Sequence, residues 1–410
     1  MRSDVALDAI PYLDVLDPGF QPHSAEVAAA REASWYARTS MGYAILRYEQ
    51  ASAVLGDRRF RQTVALMLTA RGITGGPLFD WLTSTIIGTE GADHLRLRRL
   101  TSRAFTPRAV DTLRPLMRSV VEELLDRFTE SGQCEFMADF ADPYPARIIC
   151  EMLGVPAEQQ HTFRGWANDL GMVFSPDIVE NRDRIEVALA GLYRSVDVLI
   201  EHRRGRPGPD LLSALIAAEE AGDRLTTAEL RLMVSALLFG GQDTTRNQLG
   251  LAMATFIAHP GQWQRLAEQP ELAGQAVEEL FRVAPSAPAN GRVAVEPVTL
   301  HGLDIPPGTV LHVITAAANT DPEVFGDGGF DITVPRPAPQ LTFGGGLHYC
   351  LGAPLARAEI AEALPILARR LPAPRSAGPA QWRPAMGITG PRRLPIRFGQ
   401  PATDSSTSGI

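Results

Sequence analysis

The stretch Phe343-Gly-Gly-Gly-Leu-His-Tyr-Cys350-Leu-Gly352 decides how the rest of this 410-residue chain is read. Three successive glycines remove side chains where backbone must pass close to something bulky or take a positive φ. Cys350 follows at the start of an expected helix, where the positive end of the helix dipole stabilises a thiolate. Backbone N–H groups of such a loop can donate to the sulfur and tune a bound metal. Phe343, seven positions earlier, is placed to cover the ligand and keep water away. A lone cysteine beside a glycine turn is more often a packing residue, but here the full spacing Phe-x-x-Gly-x-x-x-Cys-x-Gly is met. The other two cysteines, Cys134 and Cys150, form neither a disulfide framework nor a paired zinc motif and read as packing residues.

After Leu351 the pattern predicts a helix to Arg370, stopping before Pro372. Upstream, Thr226-x-x-Glu229 is a capping box, and the helical pattern that follows runs to His259, before Pro260. That is roughly 33 residues, or about 50 Å, long enough to cross a whole domain. In its middle sits Phe239-Gly240-Gly241-Gln242-Asp243-Thr244-Thr245. Each central glycine costs about 1 kcal/mol against alanine, and the polar cluster adds a burial cost. Such local violations are expected at functional sites. The competing reading is a glycine pair packed at a helix crossing, with the threonines bonding back to carbonyls.

Amphipathic periodicity predicts further helices over residues 108–128, with Pro115 kinking or restarting the first, and over 157–172, 179–201 and 270–283. Strand signals are few: 43–48, 293–300 and 309–315. Residues 321–341 contain four prolines and three glycines and read as an ordered meander or loop. The expected fold is mainly α with minor β, one domain over 1–398 with a disordered tail over 399–410.

The net charge of −8 argues against nucleic acid as a partner, because phosphate binding needs a basic surface. No segment reaches the ~18 to 20 uninterrupted apolar residues of a membrane span. Residues 1–20 lack a basic region followed by an apolar one, so a cytoplasmic protein without membrane anchor is expected. All 39 basic residues are arginine, beside heavy use of Ala, Gly and Pro, which points to a bacterium with a GC-rich genome.

On these residues the chain resembles the cytochrome P450 superfamily, in its bacterial, ferredoxin-dependent type. The cysteine segment is similar to the family's haem-binding signature, and Ala353-Pro-Leu-Ala-Arg357 extends the match. The resemblance implies a single-domain prism fold whose long central helix crosses a haem b (iron protoporphyrin IX), with Cys350 as the iron ligand and Phe343 and Gly344 beside it. Gly240 to Thr245 resembles the family's Ala/Gly-Gly-x-Asp/Glu-Thr-Thr/Ser motif. By that resemblance Thr244 holds water on the oxygen-binding side, Asp243 feeds protons toward it, and the glycines open a groove for dioxygen.

His94 and Arg98, four apart on one helix face, are similar to the family's propionate-binding helix, and Ala104-Phe-Thr-Pro-Arg108 continues the match. Arg292 and His348 fall at two further propionate positions. Gln340 stands where relatives often carry histidine. Glu279-Leu-Phe-Arg282 resembles the family's structural Glu-x-x-Arg pair. An arginine of the meander normally completes that network, and the nearest here is Arg336. The substrate pocket is implied at residues 63–87, Ala236, Phe239, Gly240, Ala287, Ala289 and Ile388. These are mostly small or apolar, so a lipophilic small molecule is implied, in bacterial secondary metabolism or catabolism.

The implied reaction is monooxygenation, with electrons passing indirectly from NAD(P)H through a ferredoxin reductase and ferredoxin to a monomeric enzyme. Seven arginines between Arg96 and Arg118 form a local basic patch suited to an acidic electron carrier. Two other readings are a related catalyst of oxidative coupling, desaturation or peroxide-driven oxidation, and a non-catalytic haem-binding sensor.

Overall fold

The capping box starts the longest helix. Thr226 Oγ1 accepts from the Glu229 amide at 3.2 Å, and the Glu229 carboxylate accepts from the Thr226 amide at 2.7 Å. The helix then runs Thr227–Ala258 in this computed structural model, which describes residues 10–102, 105–220 and 225–399. The expected tail past Gly399, and Ala104 of the propionate-helix match, lie outside the described residues.

The central helix buries side chains on every face, from Leu230 and Met233 to Phe256, as a helix through a core must. Helices Pro143–Met152, Gln160–Leu170 and Arg182–Gly205 pack around it, and Ala273–Val283 and the cysteine helix Ala353–Arg370 also touch it. Thr226→Ala removes the N-cap bond and should lower stability by about 1 kcal/mol. Urea unfolding checks this, and an unchanged midpoint would show that packing alone sets the helix start.

Of the two alternatives at Pro115 the structure takes the restart, giving Pro107–Asp111 and then Arg114–Asp126. Two sequence expectations shift. The helix expected from 179 begins at Arg182, because Asn181 closes a turn on the Asp177 carbonyl through both its amide (3.1 Å) and its side chain (2.8 Å). The strand expected over 293–300 is two strands, Asn290–Ala294 and Val298–Leu300, in different sheets. Pro297 lies at the break and has no N–H to extend a ladder.

The main sheet orders its strands Tyr36–Thr39, Gly42–Ile45, Val310–Val313, Asn290–Ala294, Phe60–Gln62. Only the pair Gly42–Ile45 with Val310–Val313 is parallel. Its register sets Arg292 between Leu311 and Gln62. Among the described residues no helix is long and apolar enough to cross a membrane.

The core behind the cysteine loop is locked by charge. Arg282, on Ala273–Val283, donates twice to Glu279 at 2.8 and 2.7 Å and also reaches the Asn319, Gly328 and Gly329 carbonyls. Arg336 donates to the same carboxylate at 3.1 and 2.5 Å. Burial works to raise the Glu279 pKa, but the bonds from Arg282 and Arg336 outweigh it and hold the carboxyl below its ordinary value. The meander thus supplies the third partner from Arg336, although the spacing departs from the family pattern.

Candidate functional site

The cysteine loop is shaped by two left-handed glycines, Gly344 (φ 71°) and Gly346 (φ 61°). At Gly346 a Cβ would lie 2.8 Å from the Leu55 carbonyl oxygen, so only glycine lets the loop pass residues 55–56. The Cys350 amide donates to the Phe343 carbonyl at 2.9 Å, closing the loop. Phe343 is packed between the Phe281 ring, 4.5 Å away, and the Arg357 guanidinium, 4.4 Å above it.

The Cys350 side chain carries exposed surface, yet burial among surrounding atoms is the main force raising its thiol pKa. Hydrogen bonds from the Gly352 and Ala353 amides and the charges of Arg98 and Arg357 act the other way, favouring thiolate. At Cys134 and Cys150 no backbone amide helps, Cys150 has only the charge of Arg164 in its favour, and burial pushes each to about 12. They are inert packing thiols.

Cations gather beside this loop. Arg292 is 2% exposed, and burial lowers its pKa to about 10. Its Nη1 donates to Gln62 Oε1 at 3.2 Å and the Gly291 carbonyl at 2.9 Å, with no ion pair among the described residues. Burial likewise lowers Arg98, which has Cys350 as its strongest favourable charge and also forms no ion pair among the described residues. His348 Nε2 lies 3.1 Å from Glu90 Oε1 but off the direction of a hydrogen bond. Glu90, Arg292, Leu347 and His348 line one cavity of about 210 Å³.

His94 packs on His348, ring centroids 4.2 Å apart, and its nitrogens face the Ile86 and Leu347 carbonyls at 2.9 and 3.2 Å. It therefore braces the cysteine loop, a task its sequence pairing with Arg98 does not reveal. Contact with an anion would require Nε2 to exchange the longer of those bonds.

This donor set fits a haem. A desolvated cation without a carboxylate is unfavourable unless an anionic partner is bound. Arg292, with no ion pair among the described residues and only the charge of Glu90 in its favour, comes closest to that description, and the half-buried Arg98 joins it beside the cysteine loop to match the charge of two propionates.

On the central helix the two glycines differ. A Cβ on Gly240 would meet nothing within 4 Å, whereas one on Gly241 would lie 3.1 Å from the Ile149 side chain. Gly240 faces open space and Gly241 is a packing glycine at a helix crossing, a correction to the reading of both as a groove. Thr244 Oγ1 donates to the Gly240 carbonyl at 2.8 Å. Asp243 is 1% exposed and is held by Arg246, Asn247 and Arg383.

The expected pocket residues come together in part. Ala236 and Gly240 are one turn apart on one face. The Phe239 ring meets Trp81 edge-on at 6.2 Å and Phe174 at 5.6 Å. The loop bearing Ile388 packs on Phe174 through Gly387, and the Thr389 amide donates to the Ser286 carbonyl at 2.9 Å, bringing Ile388 near Ala287. Ala289 joins a cluster with Met386. Gln340 is occupied by Glu278, at 3.2 Å. The basic patch is weaker than its arginine count suggests: Arg96 pairs with Glu229, and Arg114 and Arg118 both pair with Glu362.

Sequence reasoning missed Glu90, Gln62, Arg246 and Arg383. Glu90, Gln62 and Arg383 reach the site only through tertiary contact, whereas Arg246 follows the Gly240–Thr245 motif directly and pairs with Asp243 one turn back along the same helix.

The sequence profile described as Cytochrome P450 matches residues 173–371. The luteothin monooxygenase of Streptomyces thioluteus is 42% identical over 397 residues, 95% of this chain and 96% of that protein. The mycinamicin IV hydroxylase/epoxidase of Micromonospora griseorubida is 36% identical, covering 86% of this chain and 88% of its own. Among solved structures, the P450 enzyme CxnD for C–S bond formation in chuangxinmycin biosynthesis superposes with a TM-score of 0.81 at 33% identity, over 94% of this chain and 96% of its own.

Proposed function

This chain belongs to the cytochrome P450 family and is a haem-dependent oxidoreductase that incorporates molecular oxygen, and on that footing we propose that Cys350 is the iron ligand of a haem b in a monooxygenase of bacterial secondary metabolism. The observation that carries the assignment is the closed Cys350 loop, in which the Gly352 and Ala353 amides and the charges of Arg98 and Arg357 favour a thiolate. When bound, a haem with thiolate ligation activates dioxygen, delivering one oxygen atom to the substrate and the other to water. Arg98, Arg292 and His348 bind the propionates, with His94 bracing the loop behind them. Phe343, clamped by Phe281 and Arg357, keeps water from the sulfur.

Thr244 orients water over the open face at Gly240, and Asp243 supplies protons to that water. The substrate is a neutral lipophilic molecule seated against Ala236, Phe239, Ala287, Ala289 and Ile388. Relatives named for luteothin and mycinamicin oxidation support a secondary-metabolite substrate. Electrons come from NAD(P)H through a reductase and a ferredoxin, to a monomer in the cytoplasm.

The reduced, CO-bound protein should show the red-shifted Soret band of thiolate ligation. A histidine-type spectrum would remove the Cys350 assignment. Product analysis with a surrogate ferredoxin and reductase separates an enzyme from a sensor, since a sensor gives ligand-induced spectral change without turnover. Thr244→Ala should keep the CO spectrum, lower product formation on the order of 100-fold and raise peroxide release. Unchanged product yield would take Thr244 out of proton delivery.

A further inference from the structure

Asp243 is not free to swing. Arg246, one turn along the same helix, pairs with its Oδ1, and Asn247 Nδ2 donates to that oxygen at 3.3 Å. Arg383 Nη1 donates to Oδ2 at 3.1 Å from a different part of the fold. The two arginines differ in what else holds them. Arg246 also donates to Asn168 at 2.5 Å and Asp142 at 3.1 Å, so its place does not depend on Asp243. Arg383 directs its side-chain hydrogen bond to Asp243 and to no other group among the described residues.

Arg383 belongs to the hairpin 381–393, whose strands are Gln381–Trp382 and Pro391–Arg393. At its base the Arg383 amide donates to the Gly390 carbonyl at 2.9 Å. At its tip a Cβ on Gly387 would lie 2.5 Å from the Phe174 carbonyl oxygen. Phe174 ends the short helical turn Gly171–Phe174 and meets Phe239. Gly171, at the start of that turn, is so close to Asp243 that a Cβ there would lie 3.0 Å from the carboxylate carbon. One hairpin and one turn therefore wall both the pocket beside Phe239 and the carboxylate of Asp243.

We propose that Arg383 is a positioning residue for oxygenation: it pins the Asp243 carboxylate from outside the central helix and ties it to the Ile388-bearing tip of the 381–393 hairpin. This rests on the assignment of Asp243 to proton supply. A carboxylate gripped from two elements has one position, whereas one gripped from its own helix alone regains rotamer freedom.

Hydrogen–deuterium exchange of the holoenzyme reads the tie directly. Arg383→Gln and Asp243→Asn should each speed amide exchange across residues 383–390 several-fold, the double variant no more than either, and Arg383→Lys should restore protection. Oxygen consumption driven by a plant-type ferredoxin and its reductase reads the consequence. Arg383→Gln should raise the fraction of oxygen released as peroxide and enlarge the solvent deuterium isotope effect, with no further change in the Asp243→Asn background and recovery in Arg383→Lys. Unchanged exchange overturns the tie. Faster exchange with unchanged peroxide yield and isotope effect reduces Arg383 to a structural contact and overturns the positioning role. A histidine-type CO spectrum would instead refute the Cys350 assignment and leave the exchange result standing.

Discussion

Cys350→Ser should lose the red-shifted Soret band of the reduced CO complex and, with it, product formation. The loop that presents residue 350 stays in place in this variant. Its left-handed turns belong to Gly344 and Gly346, its closing bond runs from the residue 350 amide to Phe343, and Arg357 still clamps Phe343. What changes is the donor atom. Backbone bonds from Gly352 and Ala353 and the charges of Arg98 and Arg357 favour an anionic sulfur against its desolvation. A serine hydroxyl ionises far less readily than a thiol, and it lacks the soft, polarisable sulfur that donates electron density to iron. The absorption spectrum and turnover are read together on one preparation. A variant that kept the thiolate-type band would place the ligand elsewhere.

The second large effect is on folding. Glu279→Ala should destabilise the protein by about 3–5 kcal/mol, the usual result of leaving buried cations without their anion. Set against typical total stabilities of about 5–15 kcal/mol, this reaches the threshold for accumulation of folded protein. Arg282 is 1% exposed and would keep only its carbonyl partners. Arg336 is less buried and can turn to solvent, so Arg336→Ala should cost distinctly less. Urea unfolding of both variants checks the order, and a Glu279→Ala midpoint within error of wild type would show that the network does not hold the core behind the loop.

Much of the site was legible because its signals are local. The capping box at Thr226 and Glu229 needs only a spacing of three, and the structure forms both of its bonds. The Phe343–Gly352 loop is readable for the same reason: φ values, closing bond and backbone donors all lie within a few residues. The sequence alone therefore determined the family, the mainly helical fold and the length of the central helix.

Tertiary structure decided which partners meet. Gly240 and Gly241 are chemically identical, and only Ile149, on another helix, makes one a packing residue and leaves the other open. Arg336 and Arg282 become partners of one carboxylate because an irregular meander folds back across it, and no periodicity encodes that path. Arg383 lies 140 positions from Asp243 and reaches it through a hairpin whose placement depends on the whole core. Local backbone preferences act between neighbours in the chain and are written there. Ion pairs and close packing act between neighbours in space, and they exist only once the chain has folded.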